Sequence, residues 1–445
     1  MKSFPFGNAT LCILLLTLLS GLWIAVQPAP QRPVTLTYWV FARPHYDAYR
    51  RVIPQFERDH PGVTVDLQLV SNSALATRLQ AAFQADLDVP DLCELEIGSA
   101  GTMFRGPLKD VGFINLKPRL EQSGLYDRIV RARFAPYTSR GEIFGMPHDV
   151  HPVQIAYRRD LFEKYGVDPG KIQTWDDFIA AGRKITIPGK QYMIELSDSD
   201  SVSLESFLLQ RGGGYFDSAG NVILDNEAAV KTMEFYVPLV AGPHKIGNTV
   251  GDMYGAQFGK ALEDGYEMSF LCPDWRSRMV EDNYGRLSGK MALMPLPAVA
   301  LGGTRTTTWG GTMVGITKRC HNPDLAWALV QYLYTDKAQL AQRFSDTNIL
   351  PPLEAAWKQP AFQRPNPFWS GQRLGASYVE LAPQVPPRFT APEIDTAQAK
   401  LSEALVTCAA YYNRHGGDSG FDPFVRSTLR QCADRVRAVK ARNPY

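Results

Sequence analysis

The chain is poor in the features that mark enzymes of nucleophilic, metal or phosphate chemistry. Its six cysteines stand far apart, at 12, 93, 272, 320, 408 and 432. None forms a CxxC pair or a Cys/His group at zinc spacing, which excludes a zinc module. No HExxH run occurs. The serine of Ile97-Gly98-Ser99-Ala100-Gly101 sits one place too early for a nucleophile elbow. Gly285-Arg-Leu-Ser-Gly289-Lys290 is one residue short of a phosphate-binding loop and lacks the following Ser or Thr. The formal net charge is only +2 and there is no long basic run, so nucleic acid is not expected as a partner. Short-period repeats and low-complexity tracts are also missing.

Long apolar runs are scarce too, with one exception. Lys2 precedes a block from Ala9 to Val26, followed by Gln27-Pro-Ala-Pro-Gln-Arg-Pro33. A basic start, an apolar stretch and a stiff polar exit read as an export signal over residues 1–30. The block is close to the roughly 18 apolar residues of a spanning helix. Ala25-Val26-Gln27 is also a poor small-x-small cleavage site. An uncleaved membrane anchor therefore stands as the alternative. In either case the rest of the chain is expected outside the cytoplasm, in the periplasm or at the cell surface. Cys12 lies at the start of the block, where a lipid-anchoring cysteine would not. Cys408 and Cys432 are the pair expected to form a disulfide in an oxidising compartment, with buried free thiols as the competing expectation.

What is abundant is ordinary soluble-protein material: 45% hydrophobic, 21% charged and 11% aromatic residues. A chain of 445 residues exceeds one core of roughly 100–200 residues, so two lobes are expected. Val34–Phe41 is rich in β-branched and aromatic residues, Tyr49, Val52, Ile53 and Phe56 fall at helical spacing, and Val63–Val70 alternates as a half-buried strand does. A helix with Leu75, Leu79 and Phe83 on one face and a strand over Leu92–Ile97 follow. This strand–helix order predicts an α/β fold with mostly parallel, helix-covered sheets. Later segments repeat it, with Thr174 and Asp177 predicted as a capping box. Helices are predicted over Glu205–Gln210, Asp225–Val237, Thr396–Cys408 and Phe424–Val439. The proline-rich pieces 351–367 and 383–392 read as surface connections.

Four stretches carry a family resemblance: LTYWVF with VIPQFERDHPGVTVDLQLV, VPDLCELEIGSAGTMF, GEIFGMPHDVHPVQIAYRRDLFEKYGVD with QTWDDFIAAGRKI, and WGGTMVGITKRCHNPDLAWALVQYLYTD with NILPPL. In this order and spacing the chain resembles the extracellular solute-binding proteins of ABC sugar importers, family 1, of the maltose- and oligosaccharide-binding type. MYGAQFGKALEDG, CPDWR and GKMALMPLPA are similar to binding proteins for plant-type oligosaccharides. The resemblance implies a two-lobed periplasmic-binding-protein fold with a hinge and an interlobe cleft. The first lobe would take residues 34–145 and 309–345, and the second 150–300 and 350–445. Crossings are expected near Gly145-Met-Pro, Leu301-Gly-Gly-Thr and Asn348-Ile-Leu-Pro. The implied function is capture of a sugar or oligosaccharide by hinge closure and delivery to ABC transporter membrane subunits. The chain is expected to act as a monomer, with no catalytic residue, metal or cofactor.

A neutral sugar offers hydroxyls, which suit carboxylates, amides and guanidinium groups, and C–H faces, which suit aromatic rings. In α/β sheets ligands bind at the carboxyl ends of strands. Candidates at such positions are Trp39 and Phe41, Asn72, Glu96 and Ser99, with core packing, helix capping and salt bridging as their competing roles. Asp149 follows the expected hinge, flanked by His148 and His151. Tyr254, Asp274 and Trp275 come from the second lobe. Arg305 is a candidate donor, or the partner of a nearby acid. Trp309-Gly310-Gly311 combines a ring with glycines that permit close backbone approach. Two other classes remain open from sequence: a binding protein for a non-sugar solute such as a polyamine, and a glycoside-acting enzyme, which needs two acids flanking the bond.

Overall fold

A computed structural model describes residues 8–26, 34–85 and 88–443. Among the described residues, and apart from a small hairpin of Thr138–Ser139 and Glu142–Ile143, the strands are β1 (Val34–Val40), β2 (Val63–Leu69), β3 (Leu92–Glu96), β4 (Met146–Pro147), β5 (Val153–Arg158), β6 (Ile194–Glu195), β7 (Gly247–Asn248), β8 (Ser269–Pro273), β9 (Met291–Pro295) and β10 (Thr312–Ile316). They build two five-stranded sheets, ordered β2-β1-β3-β10-β4 and β9-β5-β8-β6-β7. Each sheet centres its own lobe.

In the first lobe, strand alternation sends Leu36, Tyr38 and Val40 to one face of β1 and Trp39 to the other. The helix Arg43–Asp59 covers the first face with Ala48, Tyr49, Ile53 and Phe56 at three- and four-residue spacing. It starts with Pro44 in its first turn, where no N–H is needed. It stops before Pro61-Gly62, where Gly62 turns the chain with φ +86°. The helix Asn72–Ala85 covers the other face through Leu75 and Leu79. In the second lobe the helix Trp175–Ile185 opens on the predicted capping box of Thr174 and Asp177. The helices Ser201–Gln210, Glu227–Val240, Ile394–His415 and Phe421–Lys440 pack into one core with it.

Several expectations need correction. The sheets are mixed, not mostly parallel: β3–β10, β10–β4, β9–β5 and β5–β8 are antiparallel pairs. The reason in the first sheet is that β4 leaves for the other lobe while β10 returns from it between β3 and β4. The second crossing lies over 306–311, later than Leu301, because Arg305 is still tied to its own lobe at Leu296 O and Ile172 O. The proline-rich pieces are not simply surface: Phe362 is buried in one, and Arg388, Thr390 and Ala391 in the other. The tail helices run longer than predicted, Ile394–His415 mainly at its end and Phe421–Lys440 mainly at its start. Cys408 and Cys432 lie on the two tail helices, buried in the apolar core, and both are free thiols. Burial pushes each thiol up to about 12.

In the apolar helix Asn8–Val26, none of the described side chains, those of residues 9–23, belongs to these cores, and Leu16, Leu18 and Trp23 are largely exposed. Among the residues whose side chains are described, no helix is long and apolar enough to cross a membrane.

Glu267 is the least settled group of the second lobe. It is fully buried just before β8, and among the described residues neither carboxylate oxygen has a hydrogen-bond partner. Burial, and then the neighbouring Glu195 carboxylate, push it up to about 9. A raised carboxyl pKa means that the folded state holds a proton the unfolded state releases. Its contribution to stability is complete below about pH 4.5 and is lost as pH rises through 9. Glu267→Gln is therefore expected to raise Tm at pH 8 and leave it unchanged at pH 4. Calorimetric melting at both pH values checks this, and an equal effect at both would contradict it.

Candidate functional site

Between the lobes lies a cavity of about 830 Å³. The first lobe supplies Phe41 after β1, Asn72 at a helix start, and the turn Glu96–Ser99 after β3. The strands β1 and β3 run parallel, so their carboxyl ends and the following turns reach the same edge. The second lobe supplies Tyr254, Trp275 and the strip from Arg388 to Gln398. The crossings add His151 and Thr308–Thr312.

The aromatic wall has a fixed geometry. Trp275 and Trp309 stand perpendicular with ring centres 6.3 Å apart, and Tyr254 lies 5.8 Å from Trp275. Trp275 Nε1 donates to Trp309 O at 3.1 Å, which locks the indole while leaving its face for a ligand. Gly310 and Gly311 serve this packing. Gly310 has φ +86°, and a Cβ there would lie 3.1 Å from Trp275 Nε1, while one on Gly311 would lie 2.3 Å from Arg133 Nη2. On the polar wall, Glu96 Oε2 accepts from Gly98 N at 2.6 Å. Burial raises the Glu96 carboxyl to about 7, against the lowering pull of Arg388 and the Gly98 N–H.

Nine of the thirteen candidate residues line the cavity: Phe41, Asn72, Glu96, Ser99, Tyr254, Trp275, Trp309, Gly310 and Gly311. Four do not. Trp39 packs on the first-lobe core beneath the Arg78 guanidinium, 4.6 Å from its ring. Arg305 spends its donors on Leu296 O, Gln173 Oε1 and Ile172 O. Asp149 and Asp274 are fully buried behind the cavity wall.

Those two aspartates sit where the chain crosses between the lobes. Asp149 accepts from Arg133 Nη2 at 3.0 Å and from Thr312 N at 3.0 Å, and lies 3.1 Å from His151 Nε2. Asp274 meets His151 Nδ1 at 2.5 Å and accepts from Leu350 N and Trp275 N, each at 2.7 Å. Arg133 also donates to Thr308 Oγ1 and Gly310 O. One buried chain, Arg133–Asp149–His151–Asp274, thus joins all three crossings. His151 holds φ +54°, a left-handed backbone that both ring bonds secure. Burial alone would lower the His151 pKa, yet the two carboxylates raise it to about 9. Burial would likewise raise Asp149, but His151, His148 and Arg133 hold it well below the usual carboxylate range.

His45, Glu94 and His148 cluster tightly enough to suggest a metal. The geometry argues against one. The two imidazoles are stacked with centres 3.9 Å apart at 30°, so their in-plane lone pairs run side by side and do not converge. Glu94 is already engaged by His45 Nδ1 and Tyr49 OH, each at 2.9 Å. Burial first, then His45 and Arg343, lower the His148 pKa.

Sequence reasoning missed His151, Arg133, Glu205, Arg388, Asp395 and Gln398. His151 carried a signal, through its place two residues after Asp149. Arg388 had a faint one, as the only charge in a run of prolines and aromatics.

The hinge chain makes two predictions. Asp149→Asn leaves Arg133 without its carboxylate and His151 with Asp274 alone, and is expected to cost about 3–5 kcal/mol in denaturant unfolding, the range for a broken buried pair. The His151 contribution is complete below pH 6.5 and is lost as pH rises through about 9, because its folded pKa is raised. His151→Gln is expected to flatten that alkaline loss of stability. An unchanged alkaline slope in the variant would rule the role out.

The chain matches the family model of the bacterial extracellular solute-binding protein over residues 43–340. It is 26% identical over 355 residues to the arabinooligosaccharide-binding protein of Halalkalibacterium halodurans, covering 78% of this chain and 77% of that one. It is 28% identical over 324 residues to the arabinooligosaccharide-binding protein of Bacillus subtilis, covering 71% and 74%. The fold is similar to that of the sugar-binding protein MalE from Xanthomonas citri, with a TM-score of 0.75 and 19% identity over 92% of this chain and 98% of that one. With two lobes around one cleft and a family match over two-thirds of its length, the chain belongs to the bacterial extracellular solute-binding proteins.

Proposed function

We propose that this protein is the extracytoplasmic binding component of an ABC importer and captures a neutral oligosaccharide. The observation that carries the reading is the mixed lining of the cleft. Rings of Phe41, Tyr254, Trp275 and Trp309 share it with the hydroxyl-binding groups of Asn72, Glu96 and Ser99. Ring faces take up the C–H surfaces of a sugar with little entropy loss, and the polar wall takes its hydroxyls. The cavity of about 830 Å³ lies toward the upper end of the roughly 300–1,000 Å³ usual for small-ligand sites, which favours several linked rings over one. The names of the two arabinooligosaccharide-binding relatives point the same way.

In this reading the lobes are residues 34–145 with 309–345, and 150–300 with 350–445, and they close about the Asp149–His151–Asp274 hinge. A ligand that touches both walls only when they are near shifts the population toward the closed form. That form is then read by transporter membrane subunits. The Asn8–Val26 segment exports the chain and either leaves it or stays as an anchor.

Trp275→Ala and Trp309→Ala are each expected to weaken binding of the preferred oligosaccharide by about 1–3 kcal/mol, the size of one lost aromatic anchor. Titration calorimetry against a panel of oligosaccharides, polyamines and amino acids checks this, and full affinity in both variants would remove the site. Solution scattering is expected to give a smaller radius of gyration with the bound sugar than without it. Product analysis after prolonged incubation is expected to return the oligosaccharide intact, and multiple-turnover cleavage would replace transport with hydrolysis.

A further inference from the structure

The lobes also meet away from the crossings, where the second-lobe strip Val385–Pro392 reaches the first-lobe turn after β3. Arg388 is 4% exposed there. Its Nε donates to Glu205 Oε1 at 2.5 Å, and its Nη1 donates to Ile97 O at 3.1 Å. Glu205 rides on the helix Ser201–Gln210, whose Leu204, Phe207 and Leu208 belong to the second-lobe core. Ile97 belongs to the first-lobe core. One guanidinium is therefore paired within its own lobe and bonded to the main chain of the other. Close by, Gly101 faces the same strip so tightly that a Cβ would lie 2.3 Å from Thr390 Oγ1 and 2.5 Å from Ala391 O. Gly101 has φ −57°, an ordinary helical value, so the small residue is needed for the contact and not for the backbone.

We propose that Arg388 is a positioning residue for ligand capture, which holds the Glu96–Ser99 turn of the first lobe against the second lobe before any ligand enters. The bond to Ile97 O lands between Glu96, one of the sugar-facing acceptors, and the Gly98 N–H that Glu96 caps. Fixing that turn in advance removes ordering cost from binding. A lysine has no planar fork and cannot serve Glu205 and Ile97 O together in this geometry. The charged groups acting on Glu96 are Arg388, Glu205 and Asp149. Arg388 is the one that lowers its pKa, so loss of Arg388 raises the Glu96 titration above its present position near 7.

The affinity part of this proposal rests on the sugar-binding reading; the lobe contact does not. The test uses Arg388→Gln, Arg388→Lys and Gly101→Ala in the full chain, with arabinotriose as probe. Ligand-free scattering is expected to show a larger radius of gyration for Arg388→Gln and Gly101→Ala than for the parent. Calorimetry is expected to show affinity lower by tenfold or more in Arg388→Gln, partly recovered in Arg388→Lys. The pH midpoint of binding is expected to move upward in Arg388→Gln, a change that a merely structural arginine would not cause. Gly101→Ala keeps every charge and decides the matter if Arg388→Gln does not fold. Parent-like radius in Gly101→Ala and in any folded Arg388→Gln overturns the proposal, as does weaker affinity with unmoved radius and unmoved pH midpoint. Failure of the parent to bind arabinotriose counts against the sugar reading alone, and the ligand-free radii then decide this one.

Discussion

The molecule turns on one buried cation held between two carboxylates. His151 lies between Asp149 and Asp274, and through them it gathers Arg133, the Thr312 amide and the Leu350 amide into a single knot. Burying charges costs several kcal/mol per ion unless each finds its opposite and every remaining bond is filled. Here the bonds are filled by main-chain groups from the segments that cross between lobes. The knot ties the crossing segments together, and it fixes the aromatic wall as well, since Trp275 N bonds to Asp274 and Trp309 stands next to Gly310, whose carbonyl accepts from Arg133.

That arrangement sorts the acids of the interlobe region into two populations. Asp149, Asp274 and Glu94 are saturated by protein donors and hold parts of the protein to each other. Glu96 keeps one oxygen on the Gly98 amide and lines the cavity. A polar residue near a cleft is thus no guide by itself to what it touches. What decides is whether a donor from another segment arrives first.

Much of the fold was legible because its causes are local. Alternation in β1, the three- and four-residue apolar spacing of the helix Arg43–Asp59 and the Thr174–Asp177 capping box all act over a few residues. The strand-end logic also led to part of the cavity lining, including Glu96 and Trp275. Where it failed, the determining partner was distant. Asp149 is sealed by an arginine 16 residues before it, and Arg388 is set by Glu205, 183 residues before it. The antiparallel return of β10 is likewise invisible to local pattern, because its direction is dictated by the excursion through the other lobe. Cys408 and Cys432 were expected to bond, but their neighbouring helices bury them as ordinary small apolar groups.

The place of β10 also governs when the first lobe becomes complete. Its sheet has an empty seat between β3 and β4 until residues 312–316 exist, although β1 to β3 are made within the first hundred residues. During synthesis the early segment therefore emerges for most of the chain's length without a finished core to collapse onto.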